Sequence, residues 1–67
     1  MIFLNGDPRE NGAGETVAVV LSLLDLGADA RGVAVAVDGE VVPRTRWATF
    51  AIPEGARVEV LTAMQGG

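Results

Sequence analysis

The sequence predicts an α+β domain, a mixed sheet with one main helix packed across it. Three observations carry this reading. An apolar run, Ile2-Phe3-Leu4, closes on the tight-turn dipeptide Asn5-Gly6. Val17, Val20, Leu21 and Leu24 recur at the spacing of one helical face. Apolar runs then flank Asp38-Gly39, and a further strand, Arg57-Val58-Glu59-Val60-Leu61-Thr62, follows.

Each element has its own local reason. Asp7-Pro8 continues the first turn, and residues 9–11 return as a short strand that Pro8 confines to a sheet edge. Asn11-Gly12-Ala13-Gly14 breaks the pattern. The helix is capped by the Thr16 hydroxyl, with Glu15 adding negative charge at its positive end. Val19, Leu23 and Leu26 widen its apolar stripe, while Ala18, Ser22 and Asp25 form a thin polar face. Gly27 suits the left-handed position after its last turn, which makes a helix of about three turns. Its valines lower its intrinsic propensity, so packing must hold it.

Val33-Ala34-Val35-Ala36-Val37 and Glu40-Val41-Val42 form a hairpin across Asp38-Gly39, and Pro43, lacking an amide, ends the return strand. Residues 44–49 are polar around Trp47 and suit a short helical turn. Pro53-Glu54-Gly55 is a turn signal. The last strand starts in charged–apolar alternation and becomes apolar, so its second half is expected to be buried or covered. Placing that strand beside the first gives a β-grasp arrangement, one domain over residues 1–67 with 64–67 as a flexible tail.

Composition narrows the chemistry. The 67 residues carry nine carboxylates against five Arg, a formal charge of −4, and no Cys, His, Lys or Tyr. Thiol and imidazole catalysis, a Schiff-base lysine, zinc sites and haem ligation all lack their residues. An acidic chain with few aromatics is a poor nucleic-acid binder. The first residues have no basic region and read as no secretory signal. The longest near-apolar stretch, residues 16–26, falls far short of the ~20 residues that span a bilayer. The expectation is a soluble cytoplasmic domain that binds no metal and no cofactor. Chemistry, if any, belongs to its main chain or to a partner's active site.

One feature can carry such chemistry. Gly66-Gly67 follows a core strand after only Ala63-Met64-Gln65. Two glycines make the narrowest and freest peptide available, suited to threading a partner's tunnel. The reacting group would then be the α-carboxylate of Gly67. ATP on a partner enzyme would turn it into an acyl-adenylate, and a sulfur nucleophile would displace AMP to leave a thiocarboxylate. The plain alternative is a frayed end with no chemistry.

At these residues the chain resembles a known family. Asp38-Gly39-Glu40-Val41-Val42-Pro43-Arg44, Trp47, Val58-Glu59-Val60-Leu61-Thr62 and Gly66-Gly67 are similar to the bacterial sulfur carriers of thiamine biosynthesis, the ThiS family. The opening Ile2-to-Gly6 segment and Glu15-Thr16-Val17 fit it too. The resemblance implies a ubiquitin-like β-grasp protein that is no enzyme itself. It implies an adenylating partner similar to ubiquitin-activating enzymes, a sulfur donor such as a cysteine desulfurase, and thiazole synthase as acceptor. Gly67 would be the modified position, and Gly66 and Gln65 would occupy the partner's tunnel. The chain departs from the family at Gly55-Ala56, where Gly-Asp is usual, and so lacks a turn-capping carboxylate there. The small subunit of molybdopterin synthase, or a related carrier, shares the chemistry but tends to be longer. A non-catalytic β-grasp interaction module is the reading of another class. Lacking lysine, the chain has no side chain to accept an isopeptide link.

Other residues have two readings each. Trp47 fits a core plug better than a partner contact. Arg44 can meet a partner carboxylate, or pair with Glu40 or a helix end. Leu61, Ala63 and Met64 can form an apolar docking patch with Arg44, or Leu61 can be buried under the sheet edge.

Overall fold

The computed structural model describes residues 1–10, 12–24, 26 and 32–62. In chain order these form β1 (Ile2–Leu4), β2 (Asp7–Arg9), α1 (Val17–Leu23), β3 (Val33–Val37), β4 (Glu40–Val42), a 3-10 turn (Arg44–Arg46) and β5 (Arg57–Thr62). The strands make one sheet in the order β2-β1-β5-β3-β4. β1 and β5 run parallel, and every other neighbouring pair is antiparallel. This is the mixed sheet with one helix that the sequence predicts.

Both turn dipeptides act as two-residue hairpin loops. Asn5 and Gly6 have φ of 49° and 89°, and Asp38 and Gly39 have 52° and 85°. Positive φ at both positions matches the right-handed twist of the flanking strands. Because the first loop uses only Asn5 and Gly6, Leu4 pairs directly with Asp7 and Phe3 with Pro8. The return strand is therefore Asp7–Arg9 rather than residues 9–11, and Pro8 sits inside it. It is tolerated because β2 is an edge strand. Past it, Gly12 has φ of 122°, and a Cβ there would lie 2.6 Å from Cδ1 of the buried Ile2. Asn11 lies outside the described residues.

The helix is shorter than its periodicity suggests. α1 has seven residues, about two turns, and Leu24 leaves helical geometry at φ −99° and ψ 11°. The Leu26 amide bonds back to the Leu21 carbonyl at 2.9 Å, which closes the last turn. Ser22 Oγ also donates to the Val19 carbonyl at 2.7 Å, a local bond that competes with helix propagation. Val17, Val20 and Leu21 are buried, Leu24 and Leu26 are half-buried, and Val19 and Leu23 are exposed. The apolar stripe is thus narrower than expected, and Ala18, read as polar-face, is half-buried against the core. Asp25 and Gly27 lie outside the described residues.

The amides of Val17 to Val20 find acceptors on the N-cap Thr16 and on the segment around Trp47. A helix leaves its first four amides without internal acceptors. Here Thr16 Oγ1 accepts from Val19 N at 3.3 Å, as its capping role requires. Val17 N donates to the Phe50 carbonyl at 3.0 Å and Ala18 N to the Trp47 carbonyl at 2.9 Å. The segment that carries Trp47 therefore docks the helix as well as filling the core. Trp47 is 2% exposed, and its Nε1 donates to the Val42 carbonyl at 2.9 Å. It is a core residue.

Strand parity sets what the sheet shows on each face. Val35 and Val37 of β3, Val42 of β4 and Val58 and Val60 of β5 are buried toward the helix with Ile2 and Leu4. Burial alternates along β5 as far as Val60 and then stops, with Leu61 and Thr62 both exposed, so of the second half, expected to be buried or covered, only Val60 is buried. Leu61 pairs with Ala34 on the face that the helix leaves open. Ala56, where the family usually has Asp, is 2% exposed and sits in the core.

Removing the indole should separate its two contributions. Trp47→Phe keeps a ring but strands the Val42 carbonyl, and should destabilise the fold by about 1–2 kcal/mol. Trp47→Ala should cost about 3–5 kcal/mol and leave so small a domain largely unfolded. Urea titration followed by far-ultraviolet circular dichroism distinguishes the two.

Candidate functional site

The candidate site is the far end of β5. This strand is central, with β1 on one side and β3 on the other. Its first residue is fixed by the β3–β4 turn: Arg57 N donates to Asp38 Oδ1 at 2.9 Å, and Asp38 N donates to the Arg57 carbonyl at 2.8 Å. On the β1 side, Phe3 N donates to the Ala56 carbonyl at 2.9 Å and Asn5 N to the Val58 carbonyl at 2.8 Å. β1 then turns away at Asn5. Its side chain takes over, accepting from Val60 N at 2.8 Å and donating to the Val60 carbonyl at 3.2 Å. β5 is thereby held almost to Thr62, the last described residue.

The tail residues Ala63, Met64, Gln65, Gly66 and Gly67 lie outside the described residues. Leu61 is 67% exposed, which decides between its two readings in favour of an open surface. Phe3 and Val41 share that open face, at 38% and 69% exposure. Sequence reasoning missed both as surface residues, although parity marks them: Phe3 lies between buried Ile2 and Leu4, and Val41 precedes buried Val42. An open depression of about 450 Å³, lined by Phe3, Asn5, Gly6, Arg57, Val58 and Glu59, crosses the β1–β5 seam. Arg44 belongs to a different element. Its guanidinium stacks over the Trp47 ring, 4.8 Å from the centroid, at the turn after the edge strand β4.

No group of three or more acidic residues among the described residues is placed to hold a metal ion. No helix among them is long and apolar enough to cross a membrane. The arrangement has the form of a platform: a strand held on both flanks that leads toward residues 63–67.

Comparison with known proteins agrees with this geometry. The chain matches the ThiS family over residues 2–67. It is 30% identical over 66 residues to the sulfur carrier protein ThiS of Escherichia coli (strain K12), covering 98% of this chain and 97% of that one. It is 35% identical over 66 residues to a thiazole synthase of Paramagnetospirillum magneticum, covering 98% of this chain but only 20% of that longer protein. The crystal structure of the thiamine biosynthesis protein ThiS from Geobacter metallireducens superposes with a TM-score of 0.75 at 34% identity, covering 98% and 97% of the two chains.

Two substitutions test the surface assignment. Leu61→Ser should change stability by less than about 0.5 kcal/mol, because the side chain already faces water. Arg44→Ala should cost about 0.5–1 kcal/mol through the lost stack on Trp47. Thermal unfolding of the two variants beside the parent chain reads both.

Proposed function

The chain belongs to the ThiS family and is a sulfur carrier of thiamine biosynthesis, and we propose that its working group is the α-carboxylate of Gly67. The family match favours thiamine biosynthesis over the molybdopterin alternative. The single observation that supports the platform reading is β5 itself, a central strand held on both sides within two residues of its end.

The proposed chemistry runs in two steps. A carboxylate oxygen of Gly67 attacks the α-phosphate of ATP on an adenylating partner, forming the acyl-adenylate and releasing pyrophosphate. A hydrosulfide then attacks the acyl carbon, loses its proton and displaces AMP, which leaves with the original oxygen. Where the sulfur arrives as a donor's persulfide, the first product is an acyl disulfide, and an external thiol cleaves it to free the thiocarboxylate and leave the donor in a mixed disulfide. The product is a C-terminal thiocarboxylate whose sulfur passes to thiazole synthase. Gly66 and Gln65 occupy the partner's tunnel, where glycine permits a close approach. In this scheme the carrier is a co-substrate rather than an enzyme, binds no cofactor of its own, and works in the cytoplasm where ATP is at hand. The thiazole synthase of Paramagnetospirillum magneticum, one-fifth of which this chain matches, supports that enzyme as the acceptor. The sulfur donor would be an enzyme such as a cysteine desulfurase. Residues 1–67 act as one domain, and Leu61, with Ala63 and Met64, adds apolar surface for docking beside the tail.

Intact-mass analysis tests the proposal. With the adenylating enzyme, ATP and a sulfur donor, the chain should gain the mass difference of one oxygen replaced by sulfur at Gly67. Deleting Gly67 should abolish the gain while thermal stability stays within about 0.5 kcal/mol of the parent, since no described core residue depends on it. An unchanged mass in the intact protein would favour the interaction module instead.

A further inference from the structure

Asn5 performs a task that its turn does not require. The positive φ of 49° is a backbone demand, and glycine would meet it at least as well. What glycine lacks is the carboxamide, and both polar atoms of that group are spent on one residue, Val60, 55 positions away.

The pairing has a specific geometry. Asn5 N donates to the Val58 carbonyl, the next rung of the parallel ladder after Phe3 N and Ala56. A strand continuing beyond Asn5 would next offer a carbonyl to Val60 N. The left-handed turn diverts the main chain instead, and Oδ1 stands in for that carbonyl at 2.8 Å. Nδ2 then closes the pair by donating to the Val60 carbonyl at 3.2 Å. The amide side chain thus serves as one further residue of β1. Val60 is 7% exposed, so stranding its main-chain groups would be costly. Only Leu61 and Thr62 separate it from residues 63–67.

We infer that Asn5 is a positioning residue for the carrier reaction: its carboxamide fixes the direction in which β5 leads into the terminal segment. This rests on the reading of Gly67 as the reacting group. A reacting carboxylate delivered on a short arm is sensitive to where the arm is rooted, since a displacement of about 1 Å at a reacting centre can cost ~100-fold in rate. β3 holds the root from the other flank through the Ala36–Glu59 and Ala34–Leu61 pairs. Without Asn5 the β1 flank ends at the Val58 rung.

The test separates the turn from the side chain. Asn5→Gly keeps the positive φ and removes only the carboxamide. Asn5→Asp keeps an acceptor for Val60 N and removes the donor. In Asn5→Gly, hydrogen exchange at the Val60 amide should accelerate about tenfold, in line with one lost hydrogen bond. The kcat for adenylation by the adenylating enzyme, followed as pyrophosphate release, should fall about tenfold, with KM for the carrier within about twofold. Asn5→Asp should fall between this variant and the parent in both readouts, and it serves alone if Asn5→Gly does not fold. Ile52→Val, which weakens the core at a fully buried residue outside the β5 strand pairs, should lower the thermal midpoint and leave kcat unchanged.

Unaltered Val60 exchange in both Asn5 variants would overturn the inference. So would faster exchange with parental kcat, which would make Asn5 purely structural. If the parent chain itself is not adenylated, the proposed function fails and the positioning role fails with it, while the exchange still reads the hold on Val60.

Discussion

The fold depends on keeping one strand still. β5 lies at the centre of the sheet, and the side chains of two turn residues hold it near its two ends. Asp38 fixes Arg57 and Asn5 fixes Val60. These are the two non-glycine residues with positive φ among the described residues. Asn and Asp tolerate that conformation better than other side chains and bring a short polar group with them. Each turn therefore reverses its hairpin and also grips the strand that passes beside it. With neither cysteine nor histidine to brace so small a chain, such economy matters.

The helix is a dependent part of this construction. Seven residues rich in valine would not be helical alone. Thr16, Trp47 and Phe50 supply acceptors to its first three amides, while Val17, Val20 and Leu21 seat it on the sheet. Trp47 joins the two layers, since its ring is in the core, its Nε1 binds the Val42 carbonyl and its own carbonyl binds the helix. The helix covers one face and leaves Phe3, Val41 and Leu61 on the other, so the core is only one layer deep.

Much of this was legible in the residues, and the failures have physical causes. Asn5-Gly6 and Asp38-Gly39 are short-range signals, and they located both hairpins because turn geometry is decided within four residues. The residues place the second strand two positions late because Pro8 reads as a turn residue, although an edge strand accepts it. Periodicity makes the helix a turn too long because it records which residues face inward and not where the backbone stops being helical. Leu26 still packs against the core after the helix has ended. Leu61 was ambiguous because an apolar residue at the end of a strand belongs to either face, and only the pairing with Ala34 decides it. The Asn5–Val60 pair was out of reach, since a dipeptide announces its turn but not a partner 55 residues away. For the terminal glycines the sequence and the family remain the whole of the case.

The composition takes on a different meaning beside the proposed chemistry. An acyl-adenylate reacts with amines and thiols, so its carrier is exposed to attack by its own side chains and by sister copies. This chain has no Lys, Cys, His or Tyr to make that attack. Its five cations are all Arg, whose guanidinium stays protonated and presents no free lone pair at neutral pH. Ser22, Thr16, Thr45, Thr49 and Thr62 offer only hydroxyls, which are neutral and weak nucleophiles unless a positioned base activates them. A carrier that leaves catalysis to its partners loses nothing by lacking those side chains.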